Sequence, residues 1–181
     1  MNLPQKSDDS WMAALSYDEV FALLDYTQTG YLEVNQALLL GHSQAVSQKI
    51  ALLDSALSKA PDSNEQVLYR AQRFYDPVNV GGELTIAPYL STSADPSKMG
   101  NYLSESNNTI FEIYTSKGVD INALSAKEGR ETEFLIRRNS AFRVHGVYES
   151  KWISRNIDHE AGVSFDFCHS PKVRIIQLEA L

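Results

Sequence analysis

Two acidic residues, Glu131 and Glu133, stand two positions apart in Arg130-Glu131-Thr132-Glu133-Phe134-Leu135-Ile136, at the head of an apolar run that reads as a strand. On a strand, residues i and i+2 point to the same face, roughly 6.5–7 Å apart along the chain. Two carboxylates so placed can work on opposite sides of one reacting centre. Two distant segments complete the set, Leu68-Tyr69-Arg70 and Tyr89-Leu90-Ser91-Thr92-Ser93. A planar guanidinium such as that of Arg70 can grip phosphate oxygens in bidentate fashion. Taken singly, these motifs have plainer readings: a surface ion pair for Arg70, a turn or polar strand end for Ser-Thr-Ser.

The elements that must position them divide into a helical lobe over about 11–60 and a β core over about 65–181. Residues 1–10 are polar, contain a proline and read as a flexible lead-in. Ser16 and Glu19 have the spacing of a capping box, followed by Val20, Phe21, Leu23 and Leu24 as an apolar face. Thr27-Gln28-Thr29-Gly30 is expected to break that helix. A second helix runs from Tyr31 to Leu40 and stops at Gly41; a third, over 43–59, carries Val46, Ile50, Leu53 and Leu57 on one face. Strands are expected over 66–74, 83–86, 89–93, 109–114, 131–137, 141–149 and 173–178. A short helix follows Asp95-Pro96, Lys117-Gly118 ends a strand, 120–130 is a polar loop, and 151–163 reads as an excursion between the last strands. Helices first and strands afterwards predict an α+β fold, and the length suits one domain over 11–181.

Charge and composition narrow the function classes. With 16 basic and 23 acidic residues, the net charge of −7 makes the chain a poor non-specific binder of nucleic acid or anionic membrane. Neither is expected as a partner. Cys168 is the lone cysteine, which excludes an internal disulfide, and it reads as a buried structural thiol although His169 follows it. His42, His145, His159 and His169 have no metal-ligand spacing, so no metal is expected. There is no Walker loop and no Gly-x-Gly-x-x-Gly. The first residues lack the apolar core of a signal peptide, and no apolar run approaches a membrane span.

In order, spacing and strand context, the three motifs together resemble the mono-ADP-ribosyltransferases of the arginine/Ser-Thr-Ser/Glu-x-Glu class, as in bacterial toxins and effectors. The resemblance runs from about Ser16 to Leu178. Leu24-Asp25-Tyr26-Thr27, Gly30-Tyr31, Asn35 and Leu38 are similar to that family's Tyr-Thr…Gly-Tyr…Asn helix, and Gly118, Ile121 and Ser125 to the approach to its turn-turn loop. The resemblance implies a core of two packed, mostly antiparallel sheets with a small N-terminal helical lobe and NAD+ as substrate in the cleft. It gives Arg70 the pyrophosphate and the Ala71 backbone the nicotinamide amide. Ser91 would hydrogen-bond Glu133, with Thr92 and Ser93 shaping the nicotinamide pocket and Tyr102 packing on the ring. Tyr26, Tyr31 and Asn35 would line the cleft from the helical side.

By the same resemblance, Glu133 accepts a hydrogen bond from the ribose 2′-OH and stabilises an oxocarbenium-like centre, while Glu131 takes the proton of the nucleophile. A glutamate at position 131 implies an arginine of a protein as acceptor. The implied biology is a toxin or effector, delivered without a cleaved signal, alone or at the end of a larger chain. It would act in the target-cell cytoplasm, with an immunity or inhibitor protein as a further partner. An NAD glycohydrolase and a phage enzyme that modifies its host are the alternatives.

Overall fold

The computed structural model describes residues 9–41, 44–104, 107–124, 132–151 and 172–181. The lead-in 1–8, the loop residues 125–131 with Arg130 and Glu131, and the excursion with His159, Cys168 and His169 lie outside the described residues.

Helix α1 (Tyr17–Asp25) starts where local chemistry demands it. The Ser16 side chain accepts from the Glu19 N–H, and the Glu19 carboxylate accepts from the Ser16 N–H at 2.6 Å. The expected break at Thr27-Gln28-Thr29-Gly30 does not occur. Residues Tyr26–Gly30 form one π-helical turn that leads straight into α2 (Tyr31–Leu40). Gly30 permits this widened turn, since a Cβ there would lie 2.9 Å from the Asp25 carbonyl oxygen and closer still to its carboxylate. Helix α2 ends at Gly41, whose φ of 97° suits a residue without Cβ. Helix α3 (Gln44–Ser58) buries Val46, Ile50, Leu53 and Leu57, the face expected from their spacing.

The strands are β1 (Gln66–Gln72), β2 (Glu83–Ile86), β3 (Leu90–Ser93), β4 (Thr109–Thr115), β5 (Gly118–Asp120), β6 (Glu133–Ile136), β7 (Ser140–Lys151) and β8 (Lys172–Ala180). They hydrogen-bond in the order β2-β7-β8-β4-β1-β3-β6-β5, antiparallel throughout except for the β4/β8 pair. The short strand β5 was not expected; the sequence reads there as the start of a loop.

Hydrogen bonding is continuous, but β1 and β3 share only the pair Tyr69↔Ser93, whereas β1 and β4 pair along the whole strand. At this narrow junction the sheet divides into two halves. Leu68, Phe111, Phe142, Ile176 and Leu178 of one half and Leu90 and Ile136 of the other are buried in a common core. Two packed, mostly antiparallel layers with an N-terminal helical lobe are therefore the fold, as expected. The helices bury Leu23, Tyr26, Leu53 and Leu57 together with Tyr89, Val119, Ile121 and Leu135 from the smaller half. A clamp fastens the lobe to the β core: the Tyr89 hydroxyl donates to Asp54 Oδ1 at 2.6 Å, and Arg138 holds Asp54 through Nη2 at 2.7 Å.

Candidate active site

The pairing of β3 with β6 places Ser91 opposite Leu135 and Ser93 opposite Glu133. Residues paired across antiparallel strands share a face. Leu135 packs into the helical-lobe core, so Ser91, Ser93 and Glu133 face that lobe. Thr92 points the other way, is buried, and its hydroxyl donates to the Phe134 carbonyl at 2.8 Å, tying the two strands together. The register sets Ser93 directly across from Glu133, with Ser91 one rung further along the same face.

Arg70 reaches the site from β1. Its Nη1 donates to the Ser91 carbonyl at 2.7 Å and its Nε to Gln72 Oε1 at 2.8 Å. These neutral acceptors orient the guanidinium without neutralising it, and no carboxylate salt-bridges it among the described residues. Burial lowers its pKa from the ordinary arginine value, with the neighbouring Tyr26 and Tyr31 offsetting part of that effect. A half-buried cation with no carboxylate partner among the described residues carries a desolvation cost that an anionic ligand would offset.

The π turn supplies the opposite wall. The Tyr26 ring is 1% exposed and meets Tyr89 and Tyr31 edge-on, with centroids 5.7 and 6.4 Å away. Its hydroxyl accepts from Asn35 Nδ2 at 3.1 Å. Burial pushes the phenol above its ordinary value; Asn35, Arg70 and Ser91 pull it down and Glu133 pushes it up, so the hydroxyl sits among all four. A single irregular turn thus lets one buried ring serve both the lobe core and the site, a common use of π turns. Asn35 Oδ1 is the buried side-chain acceptor left without a partner among the described residues.

A 3-10 turn, Pro96–Tyr102, forms the third wall. Asp95 Oδ1 accepts from the Ser97 N–H at 2.9 Å and its hydroxyl at 2.6 Å. The Asp95 N–H donates to Ser93 Oγ, and that hydroxyl also bonds Thr132 Oγ1 at 3.1 Å. Ser93 therefore joins the head of β6 to the turn that carries Lys98, Met99 and Tyr102. Met99 is buried against Ile110, Val173 and Ile175 and anchors the turn, leaving Tyr102 43% exposed at the rim.

Between the three walls lies a cleft of about 300 Å³, within the range of small-molecule sites. Arg70, Ala71, Ser91, Thr92, Ser93, Tyr102, Tyr26, Tyr31, Asn35 and Glu133 all line it. Glu131 lies outside the described residues. Thr27, Gln28, Tyr69, Lys98 and Met99 also line the cleft. Thr27 and Tyr69 fall inside sequence motifs that assign them no role; Lys98 follows Ser-Thr-Ser by five residues, and Gln28 and Met99 carry no motif. Among the described residues no group of three His, Cys, Asp or Glu side chains converges to hold a metal.

The ADP-ribosyltransferase exoenzyme family profile matches residues 4–163 of the chain. Secreted exoenzyme S of Pseudomonas aeruginosa is 30% identical over 161 residues, which is 84% of this chain and 34% of that protein. The Mycobacterium avium protein Mav, provisionally named an NAD(+)–arginine ADP-ribosyltransferase, is 29% identical over 82% of this chain and 17% of its own length. The chain thus spans about a third or less of the curated relatives it matches. Among solved structures, Plx2a, an ADP-ribosyltransferase toxin from Paenibacillus larvae, superposes with a TM-score of 0.72 at 16% identity, covering 96% of this chain and 90% of that one. Exoenzyme S bound to human 14-3-3 protein beta and carba-NAD gives 0.69 at 21% identity, covering 91% and 74%. At these identities the structural matches speak to the fold.

Proposed function

The chain belongs to the ADP-ribosyltransferase exoenzyme family, and on that premise we propose that it transfers ADP-ribose from NAD+ to an arginine of a protein and releases nicotinamide. The observation that carries this reading is the meeting, in one cleft, of an Arg70 without a carboxylate partner among the described residues and the Glu133 carboxylate. The diphosphate of NAD+ supplies the missing anion. Gln72 and the Ser91 carbonyl hold Nε and Nη1, leaving Nη2 for a phosphate oxygen.

In the reaction, the bond between the nicotinamide nitrogen and ribose C1′ breaks and nicotinamide leaves with the electron pair. Glu133 accepts a hydrogen bond from the ribose 2′-OH and stabilises the oxocarbenium charge. Tyr102 packs the nicotinamide ring, the Ala71 backbone meets its amide, and Asn35 Oδ1 offers an acceptor to a ligand N–H or O–H. A guanidino nitrogen of the acceptor then bonds to C1′ and gives its proton to Glu131. A protonated guanidinium is a poor nucleophile, so a carboxylate at 131 suits an arginine acceptor. The name of the Mycobacterium relative supports the same choice. The name of the Pseudomonas relative, a secreted exoenzyme, supports work after export; action in a target-cell cytoplasm, with an immunity protein as counter-agent, is part of the same proposal.

Incubation with labelled NAD+ and lysates of bacterial and eukaryotic cells tests this, with mass spectrometry of the labelled proteins. ADP-ribose on arginine is the expected result. Label on another residue type would overturn the acceptor assignment, and fast nicotinamide release with no labelled protein would make the enzyme an NAD glycohydrolase.

A further inference from the structure

The Glu133 amide is held by a side chain where the strand ladder gives out. β5 and β6 pair through Gly118↔Ile136, Val119↔Leu135 and Asp120↔Phe134. The next rung would join Ile121 to Glu133, and half of it forms: the Ile121 N–H donates to the Glu133 carbonyl at 3.2 Å. The reciprocal bond is missing, because the chain turns away. The Ile121 carbonyl accepts instead from the Leu124 N–H at 2.9 Å, in the 3-10 turn Asn122–Leu124. Asn122 Oδ1 takes the vacated place and accepts the Glu133 N–H at 2.8 Å. Asn122 is itself fixed by Asp120, whose Oδ1 accepts from the Asn122 N–H at 3.0 Å and from Nδ2 at 2.7 Å. Residue 122 must accept from Glu133 and donate to Asp120 at once, which an amide does and a carboxylate cannot.

We propose that Asn122, oriented by Asp120, is a positioning residue that fixes the Glu133 carboxylate in the cleft by completing the β5–β6 ladder at the Glu133 amide. The inference rests on the NAD+-cleaving role given to Glu133 above. The Glu133 side chain leaves the Cα next to the amide that Asn122 holds. Without that bond the first residue of β6 frays into the loop, and the carboxylate no longer tracks the reacting carbon. Arg70, Tyr26 and Tyr102 lie on other elements, so binding of the dinucleotide persists while its cleavage slows. Asn122 does not line the cleft, and the effect is therefore expected on kcat and not on KM.

The test measures nicotinamide release from NAD+ by wild type, Asn122→Ala and the exchange Asp120→Asn with Asn122→Asp. The exchange keeps an acceptor for the Glu133 N–H and a side-chain bond between positions 120 and 122 with its donor reversed, while the backbone N–H of residue 122 loses its carboxylate acceptor. Asn122→Ala is expected to lower kcat roughly tenfold to a hundredfold with KM within about twofold, because a displacement of an ångström at a reacting group costs on that order. The exchange is expected to recover part of the rate. Unchanged kcat in Asn122→Ala, or a loss confined to KM, would overturn the proposal. Amide hydrogen exchange at Glu133 gives a readout independent of activity. Protection in the wild type and in the exchange variant supports the clasp, and fast exchange in the wild type refutes it. A wild type that does not cleave NAD+ at all would strike the reading of the site, and the amide measurement would still decide the clasp.

Discussion

Arg70 and Arg138 both lie where the helical lobe meets the β core, and they are satisfied in opposite ways. Arg138 grips both oxygens of Asp54 through Nε at 2.9 and 3.1 Å, and Asp54 in turn accepts the Tyr89 hydroxyl. Its charge is neutralised, and the Asp54 hydrogen bonds raise its pKa. Among the described residues Arg70 meets a carbonyl and an amide oxygen and makes no carboxylate salt bridge, and burial lowers its pKa. One arginine closes a structural clamp; the other lines the cleft. The same contrast separates two glutamates. Glu19 is buried beneath Lys59, Ser55 and the Ser16 amide in the helical lobe, whereas Glu133 lines the cleft. Residue type does not mark a functional group here; where the fold puts it does.

The comparison can be broken most sharply at Arg70. Arg70→Ala should lower kcat/KM for NAD+ on the order of a hundredfold or more, since two charge-assisted hydrogen bonds to phosphate are lost. Its Tm should not fall, because a costly uncompensated cation is removed. Arg70→Lys should recover little, lacking the fork. Arg138→Ala should behave in reverse. It should cost about 1–2 kcal/mol, kept small because the Arg138–Asp54 pair is about one-third exposed. That lowers Tm by roughly 2–8 °C, while nicotinamide release per folded molecule persists.

Glu19 gives a smaller, pH-dependent effect. The Lys59 ion pair and the Ser55 and Ser16 bonds hold its carboxyl down from 4.5 to about 2. Because the folded value lies below the unfolded one, the stabilisation is fully present above about 4.5 and is lost as pH falls towards 2. Tm measured from pH 6 to pH 2 should fall less steeply in Glu19→Gln than in the wild type. The smallest effect is expected at the rim. Tyr102→Ala should raise KM for NAD+ by roughly threefold to tenfold, the value of one aromatic stack, and leave Tm unchanged.

What the sequence made legible was either local or collective. The Ser16–Glu19 box and the Val46, Ile50, Leu53, Leu57 face follow from spacing alone, and both formed. Arg70, Ser91 and Glu133 are individually unremarkable; only their order along strands marked them. The π turn was illegible because Thr-Gln-Thr-Gly carries the chemistry of a break. What keeps it helical is the fit of Gly30 against Asp25, visible only in three dimensions. The Arg138–Asp54 clamp joins residues 84 positions apart, with no pattern to announce it. Asn122 escaped notice for a related reason: its role depends on where a ladder ends, and β5 is too short to show a period. The register, too, was not readable from the motifs: Ser93 stands directly across from Glu133, and Ser91 across from Leu135.

In the proposed reaction Glu133 promotes NAD+ cleavage in this cleft while contributing nothing essential to the fold. The direct measurement is the rate of nicotinamide release at saturating NAD+ for wild type and Glu133→Gln, with Tm recorded for both. The account predicts a fall on the order of a hundredfold to a thousandfold, the usual scale for losing electrostatic stabilisation of a transition state, with Tm nearly unchanged. Equal rates in the two proteins would contradict it.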